Sequence, residues 1–295
     1  MKTLLRGDLY RASKLRGNIF WYVVILLVIV LGNVFFAVLL GNDLNDYFAQ
    51  SAQSAESTTS ATLDMFANFS SPSNFLGKSL LSFGLLTMLV CWATTNFCWV
   101  EMRDGFTKNI ITSTGKQTYY LSKILFALCV SVIFVVIGVV VALVCGQFFV
   151  GFKSFDSPVH ILVWSLLLIL LSWACASLCL VVLWLLKNQV IAYVLGLCLA
   201  TGFLSSLVAN VFLFIPSADM FADMYSELVN WLPTTAISML SSATRDAVDI
   251  LGGAPKELAS VALNAEVIVH VIVTSVVMLV LSVVLTLTAV RKRDR

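Results

Sequence analysis

Long uncharged apolar runs alternate along this chain with short polar and charged segments. Six runs are near the roughly 20 residues that a helix needs to cross about 30 Å of hydrocarbon. They are Ile19 to Leu40, Ser79 to Val100, Ile124 to Phe149, Ile161 to Leu186, Val190 to Ile215 and Val267 to Val290. Apart from His270, none carries an ionisable group other than Cys or Tyr. Backbone polar groups inside a bilayer must be satisfied internally, so runs without sustained period-two alternation are helices and not barrel strands. The pattern predicts an all-α polytopic membrane protein with six transmembrane helices.

Composition supports this and narrows the function. The 295 residues are 60% hydrophobic and 12% charged, against about 45–50% apolar and about 25% charged for a soluble domain. A coiled coil, a secreted disulfide scaffold, a disordered tail protein and almost any cytosolic enzyme are excluded on that ground. A net charge of +2 is too small for a nucleic-acid binder.

Charge also orients the spans, because Lys and Arg accumulate on the cytoplasmic side. One set of connections and both ends hold fourteen of the eighteen basic residues and only four of the sixteen acids (Asp8, Glu101, Asp104 and Asp294). The opposite set holds Lys78, Lys153, Arg245 and Lys256 with the other acids. Both termini are therefore expected in the cytoplasm, of a protein in the cell membrane. The first run is too long for the core of a signal peptide and is expected to stay as an anchor. All seven cysteines fall within the runs, as small apolar packing residues and not as a disulfide or metal framework.

Residues 1–18 place Leu5, Leu9 and Ala12 at helical spacing, with Arg6, Arg11 and Lys14 on another side, which predicts an amphipathic interfacial helix. Residues 19–295 form a single transmembrane domain. Its first outer loop, 41–78, is rich in small polar residues and expected to be partly disordered. Its last outer segment, 216–265, alternates apolar and acidic positions. Short capping helices with a break at Trp231-Leu232-Pro233 are predicted there. Gly138-Ala142-Gly146 and Ser172-Ala176 allow close helix contact, read as packing within one subunit.

The connection 101–123 carries the most information. It reads Glu101-Met102-Arg103-Asp104-Gly105, then Lys108-Asn109-Ile110-Ile111, Gly115-Lys116 and Tyr119-Tyr120-Leu121-Ser122-Lys123. Two glycines ten residues apart bracket a helix of two to three turns with Phe106, Ile110 and Ile111 beside Lys108 and Asn109. That is a surface on which a soluble partner can push. The plain alternative is a solvated connector with Lys123 snorkelling to the headgroups.

In this loop the chain resembles the permease subunits of type-2 ABC transporters of the exporter class. Their second and third helices are joined by an acid, a glycine, Lys-Asn, a second glycine, aromatics and Ser-Lys, here Glu101, Gly105, Lys108-Asn109, Gly115, Tyr119-Tyr120 and Ser122-Lys123. Where relatives often carry a small residue and Arg after the second glycine, Lys116-Gln117 stand here. The resemblance implies a coupling helix that docks on a separate ABC ATPase subunit, two copies of which work with a pair of permeases, identical or related. Glu101, Arg103, Gly105, Phe106, Lys108, Asn109, Ile110 and Gly115 would form the main ATPase-coupling contact, and Lys187 and Asn188 a minor one. ATP and magnesium would sit on the partner, with no cofactor on this chain.

The residues fit a passive role. A phosphate-cradling loop needs Gly, four residues and Gly-Lys-Ser/Thr, and ahead of Gly77-Lys78-Ser79 the first position is Pro72. The spans offer no cluster for metal or nucleophilic chemistry, so no catalysis by this chain is expected. His270 reads as a headgroup-level side chain. Ion-coupled carriers place acids near the midplane, where these spans offer only neutral groups such as Asn33, Asn96 and Asn210, so the driving energy is expected from outside. The membrane lipid is the other partner, and an amphipathic or lipid-like cargo suits such spans. The rival readings are a secondary carrier or channel, and a non-transporting membrane sensor or scaffold.

Overall fold

The computed structural model describes residues 2–14, 20, 22–38, 72–81, 84–152, 157–201, 203, 231–242, 263 and 265–292. Among them all regular structure is helical. The helices are α1 (Lys2–Lys14), α2 (Tyr22–Val38), α3 (Pro72–Leu81), α4 (Leu85–Arg103), α5 (Phe106–Thr114), α6 (Lys116–Phe149), α7 (Pro158–Leu186), α8 (Gln189–Ala200), α9 (Pro233–Ser242) and α10 (Ala265–Lys292). Four of them, α4, α6, α7 and α10, are long and apolar enough to cross a membrane. This is a multi-pass helical membrane protein. The shorter apolar helices α2 and α8 lie where two further spans are expected; Asn210 and all of the fifth run beyond Phe203 fall outside the described residues.

Aromatic contacts fix the helix directions. Tyr22, opening α2, lies 6.2 Å from Phe134 midway along α6, whereas Phe36 near its end meets Phe75 of α3, which in turn meets Phe152 beyond α6. Helix α7 runs back and is the centre of the bundle, packed against α4, α6, α8 and α10. Its Leu168, Leu171, Ala174, Cys175, Cys179 and Leu180 are fully buried. At the end where α7 begins, Trp164 donates from Nε1 to the Leu240 carbonyl of α9 at 3.0 Å. There too Trp231 stacks on His270 of α10 at 4.5 Å. Valines 136, 140, 276, 277 and 280 face outward, as side chains in lipid do.

The small-residue stripe packs within the chain. Leu86 lies 3.2 Å from where a Gly138 side chain would begin, and the Phe152 ring fills the space beside Gly146. All seven cysteines are free thiols. Helix α9 begins at Pro233 directly after the expected break, and the rest of 216–265 apart from Trp231, Leu232 and residues 263 and 265 lies outside the described residues.

Four expectations need revision. The run from Ser79 to Val100 is not one helix: α3 ends at Leu81 and α4 starts at Leu85, with Gly84 between them at φ 59°. Residues 72–78, expected in a loose loop, are the first turns of α3 and bury Phe75 and Leu76. The connection 101–123 is shorter than its charge suggests, because α4 continues to Arg103 and α6 starts at Lys116. Helix α6 is thus 34 residues long, about 51 Å at 1.5 Å per residue, and its first two turns stand beyond the apolar run. In α1 the inward face is Leu5, Asp8 and Ala12, while Leu9 is exposed.

The Trp164 contact ties α9 to the bundle. Trp164→Phe, which leaves the Leu240 carbonyl buried without its donor, is expected to cost about 1–3 kcal/mol. Thermal unfolding in detergent, with faster amide exchange over 233–242 than in the wild type, checks it.

Candidate functional site

At the opposite end of the bundle α1, α4 and α6 meet, and each brings charge. Helix α4 presents Glu101 in its last turn, α6 presents Lys123 in its second turn, and α1 presents Asp8 and Arg11 three residues apart, on adjoining parts of its inward side. Lys123 has 0% exposure, Asp8 1% and Glu101 3%, with Arg11 at 23%. Charges at that depth are costly unless paired, and here the pairing closes into a ring. Lys123 Nζ lies 2.8 Å from Asp8 Oδ1 and 2.6 Å from Glu101 Oε2. Arg11 contacts the same two acids, Nη2 at 2.8 Å from Asp8 Oδ1 and Nη1 at 2.9 Å from Glu101 Oε1. Two cations and two carboxylates alternate around a ring of zero net charge.

Aromatic groups complete its walls. The Lys123 ammonium lies 4.9 Å from the Phe97 ring centroid and 5.1 Å from that of Tyr119, within range of cation–π attraction. The Tyr119 hydroxyl donates to Glu101 Oε2 at 3.1 Å. Its oxygen then accepts from Thr107 Oγ1 at 3.4 Å, since its single proton is already committed. Ser122 turns its hydroxyl back to the Tyr119 carbonyl at 2.7 Å. Asp8 Oδ2 has no hydrogen-bond partner among the described residues.

Thr107 belongs to α5, so the ring reaches the short helix between the glycines. Gly105 and Gly115 bound α5, the first left-handed at φ 73° and ψ 0°, the second at φ 83° and ψ 146°, both settings that residues with a Cβ adopt at a cost. Helix α5 packs on the adjacent ends of α4 and α6. It turns Phe106, Asn109, Thr112, Ser113 and Thr114 outward. Phe106 is 52% exposed, and the Arg11 guanidinium stands 5.3 Å from its ring centroid.

The expected contact residues thus separate into groups. Gly105 and Gly115 are the turns of α5, Phe106 and Asn109 lie on its open face, and Ile110 is half-buried with its carbonyl accepting from Ser113 and Thr114. Arg103 is exposed and pairs with the adjacent Asp104 at 3.2 Å. The side chain of Lys108 lies outside the described residues. Glu101 faces inward as a member of the ring. Lys187 is an exposed left-handed turn residue at φ 51°, and Asn188 caps α8, its Oδ1 accepting from Val190 N at 2.9 Å. Behind that cap Gln189 Nε2 reaches Asn96 Oδ1 of α4 at 3.4 Å and also bonds the Tyr193 hydroxyl.

Asp8, Arg11, Tyr119 and Lys123 were not singled out as site residues by sequence. One signal was there: Asp8 shares a helical face with Leu5 and Ala12, and an acid on the apolar stripe of a basic helix needs a buried cation. Lys123 does not snorkel; it is a fully buried member of the ring. Among the described residues no cluster of three or more metal-ligating side chains is present. Comparison with protein-family models, with curated proteins and with solved structures finds no match to this chain.

Proposed function

We propose that this chain is the membrane-spanning permease subunit of an ATP-driven ABC exporter of the cell membrane, with six spans, cytoplasmic termini and a separate ATPase subunit. One observation supports the reading above the others. Helix α5 projects an open face between two glycine turns, while Thr107, Tyr119 and Glu101 join it to a buried charge ring shared by α1, α4 and α6. A push on α5 reaches two long helices without passing through flexible chain, as is needed to bias a bundle with two packings. In this reading α5 is the main ATPase contact and the Lys187-Asn188 turn the minor one. Two permeases and two ATPase subunits form the working unit, with ATP and magnesium held by the latter, and the cargo is amphipathic or lipid-like.

The test is purification from native membranes. The expected companion is a chain with a Gly-x4-Gly-Lys-Ser/Thr loop, and the complex hydrolyses ATP. Phe106→Asp is expected to lower retention of that companion at least about tenfold, the effect of losing roughly 1.4 kcal/mol of contact, without shifting the thermal midpoint of the permease. Extraction with no ATPase bound, together with export unaffected by Phe106→Asp and by Gly105→Pro, overturns the reading. Cargo movement in vesicles that persists without ATP points instead to a carrier or channel.

A further inference from the structure

The charge ring is not equally strong in every direction. Asp8 and Arg11 are both on α1 and already touch at 2.8 Å, while Glu101 and Lys123 bridge α4 and α6 at 2.6 Å. Lifting α1 away breaks two contacts, Arg11 to Glu101 and Lys123 to Asp8. Yet it leaves two pairs, each complete and each neutral. Parting α4 from α6 instead strands one full charge on each side, whichever helix α1 follows, and an unpaired buried charge is the costly outcome.

Apolar packing holds α1 only lightly. Ala12 is its one buried apolar side chain among the described residues, with Leu5 packed at the edge of the core, while Leu9 and Tyr10 are exposed. Asp8 Oδ2, buried without a donor, gains water on release. When docked, α1 lays Arg11 against Phe106, so its position bears directly on the start of α5.

From this geometry we propose that α1 is a releasable latch: docked through Asp8 and Arg11 it fixes α5, and released it frees α5 while the rest of the bundle stays folded. The latch is a property of the ring and goes beyond the exporter reading; it stands or falls without any ATPase being present. Its partner surface is the Glu101–Lys123 pair of the same chain, and Asp8 and Arg11 act as positioning residues for α5.

Hydrogen exchange read by mass spectrometry, on the full chain in lipid nanodiscs, tests it. In the wild type, residues 2–14 are expected to exchange at least about a hundredfold faster than 119–130, as a separate opening unit. In Asp8→Asn/Arg11→Gln, which keeps the site neutral, α1 loses its protection and 106–114 exchange at least about tenfold faster, while 119–130 stay within about twofold of wild type. Glu101→Gln/Lys123→Met removes the seat and is expected to release α1 and α5 in the same way. Joint opening of α1 and α6, unchanged exchange in α5 once α1 is free, or failure of the Asp8→Asn/Arg11→Gln chain to fold each overturns the latch.

Discussion

Lys123→Met is expected to destabilise the folded chain by about 3–5 kcal/mol, the range for removing one partner of a buried ion pair. The substitution keeps length and apolar stem and deletes only the charge, so packing loss is small. What remains is Asp8 and Glu101, at 1% and 3% exposure, facing Arg11 alone. A lysine that merely reached for headgroups would count as an exposed charge worth about 0–1 kcal/mol, so the size of the effect separates the two descriptions. Adding Asp8→Asn to Lys123→Met restores neutrality by leaving the Arg11–Glu101 pair. The double variant is therefore expected to be more stable than Lys123→Met alone, a coupling that additive, independent sites do not show. Unfolding of the purified protein in mixed micelles measures both. A Lys123→Met midpoint indistinguishable from wild type means that water already reaches the ring.

The long runs made most of the fold legible, because a bilayer leaves an apolar segment almost no choice but a helix. Helices α6, α7 and α10 cover the third, fourth and sixth runs almost end to end. Glycine spacing also located α5, since Gly105 and Gly115 are local signals that need no tertiary knowledge. The ring was not legible as a unit. Its members stand at positions 8, 11, 101 and 123, and only the three-dimensional meeting of α1, α4 and α6 places them together. Each charge alone reads as a solvated terminus or a topology signal, which is the commoner fate of such residues. The break at Gly84 escaped for a related reason: Leu80 and Leu86 are both apolar and buried, so hydropathy runs smoothly across a place where the backbone turns.

That turn sets the second large effect, and Gly84→Ala is expected to cost about 3 kcal/mol or more, from two terms that act together. The left-handed backbone, at φ 59°, penalises any Cβ by about 1–2 kcal/mol. Steric overlap adds to it: an ideal Cβ at Gly84 falls 2.0 Å from the Ala200 carbonyl oxygen and 2.9 Å from its Cβ. Overpacking of a rigid core typically costs about 1–3 kcal/mol, and here the obstacle is the backbone at the end of α8 and not a side chain that can turn aside. Gly105→Ala is the control, because it shares the left-handed backbone, at φ 73° and ψ 0°, but has nothing within 4 Å of the added carbon. It should show the conformational term alone, about 1–2 kcal/mol. Adding Ala200→Gly to Gly84→Ala removes the side-chain contact but not the carbonyl, so it is expected to return little of the loss. Substantial recovery in that double variant means that the methyl group, and not the α8 backbone, presses on Gly84. The junction of α3 and α4 could then slide past α8, whereas a backbone-to-backbone contact holds the broken helix against α8 at the end of the bundle away from the charge ring.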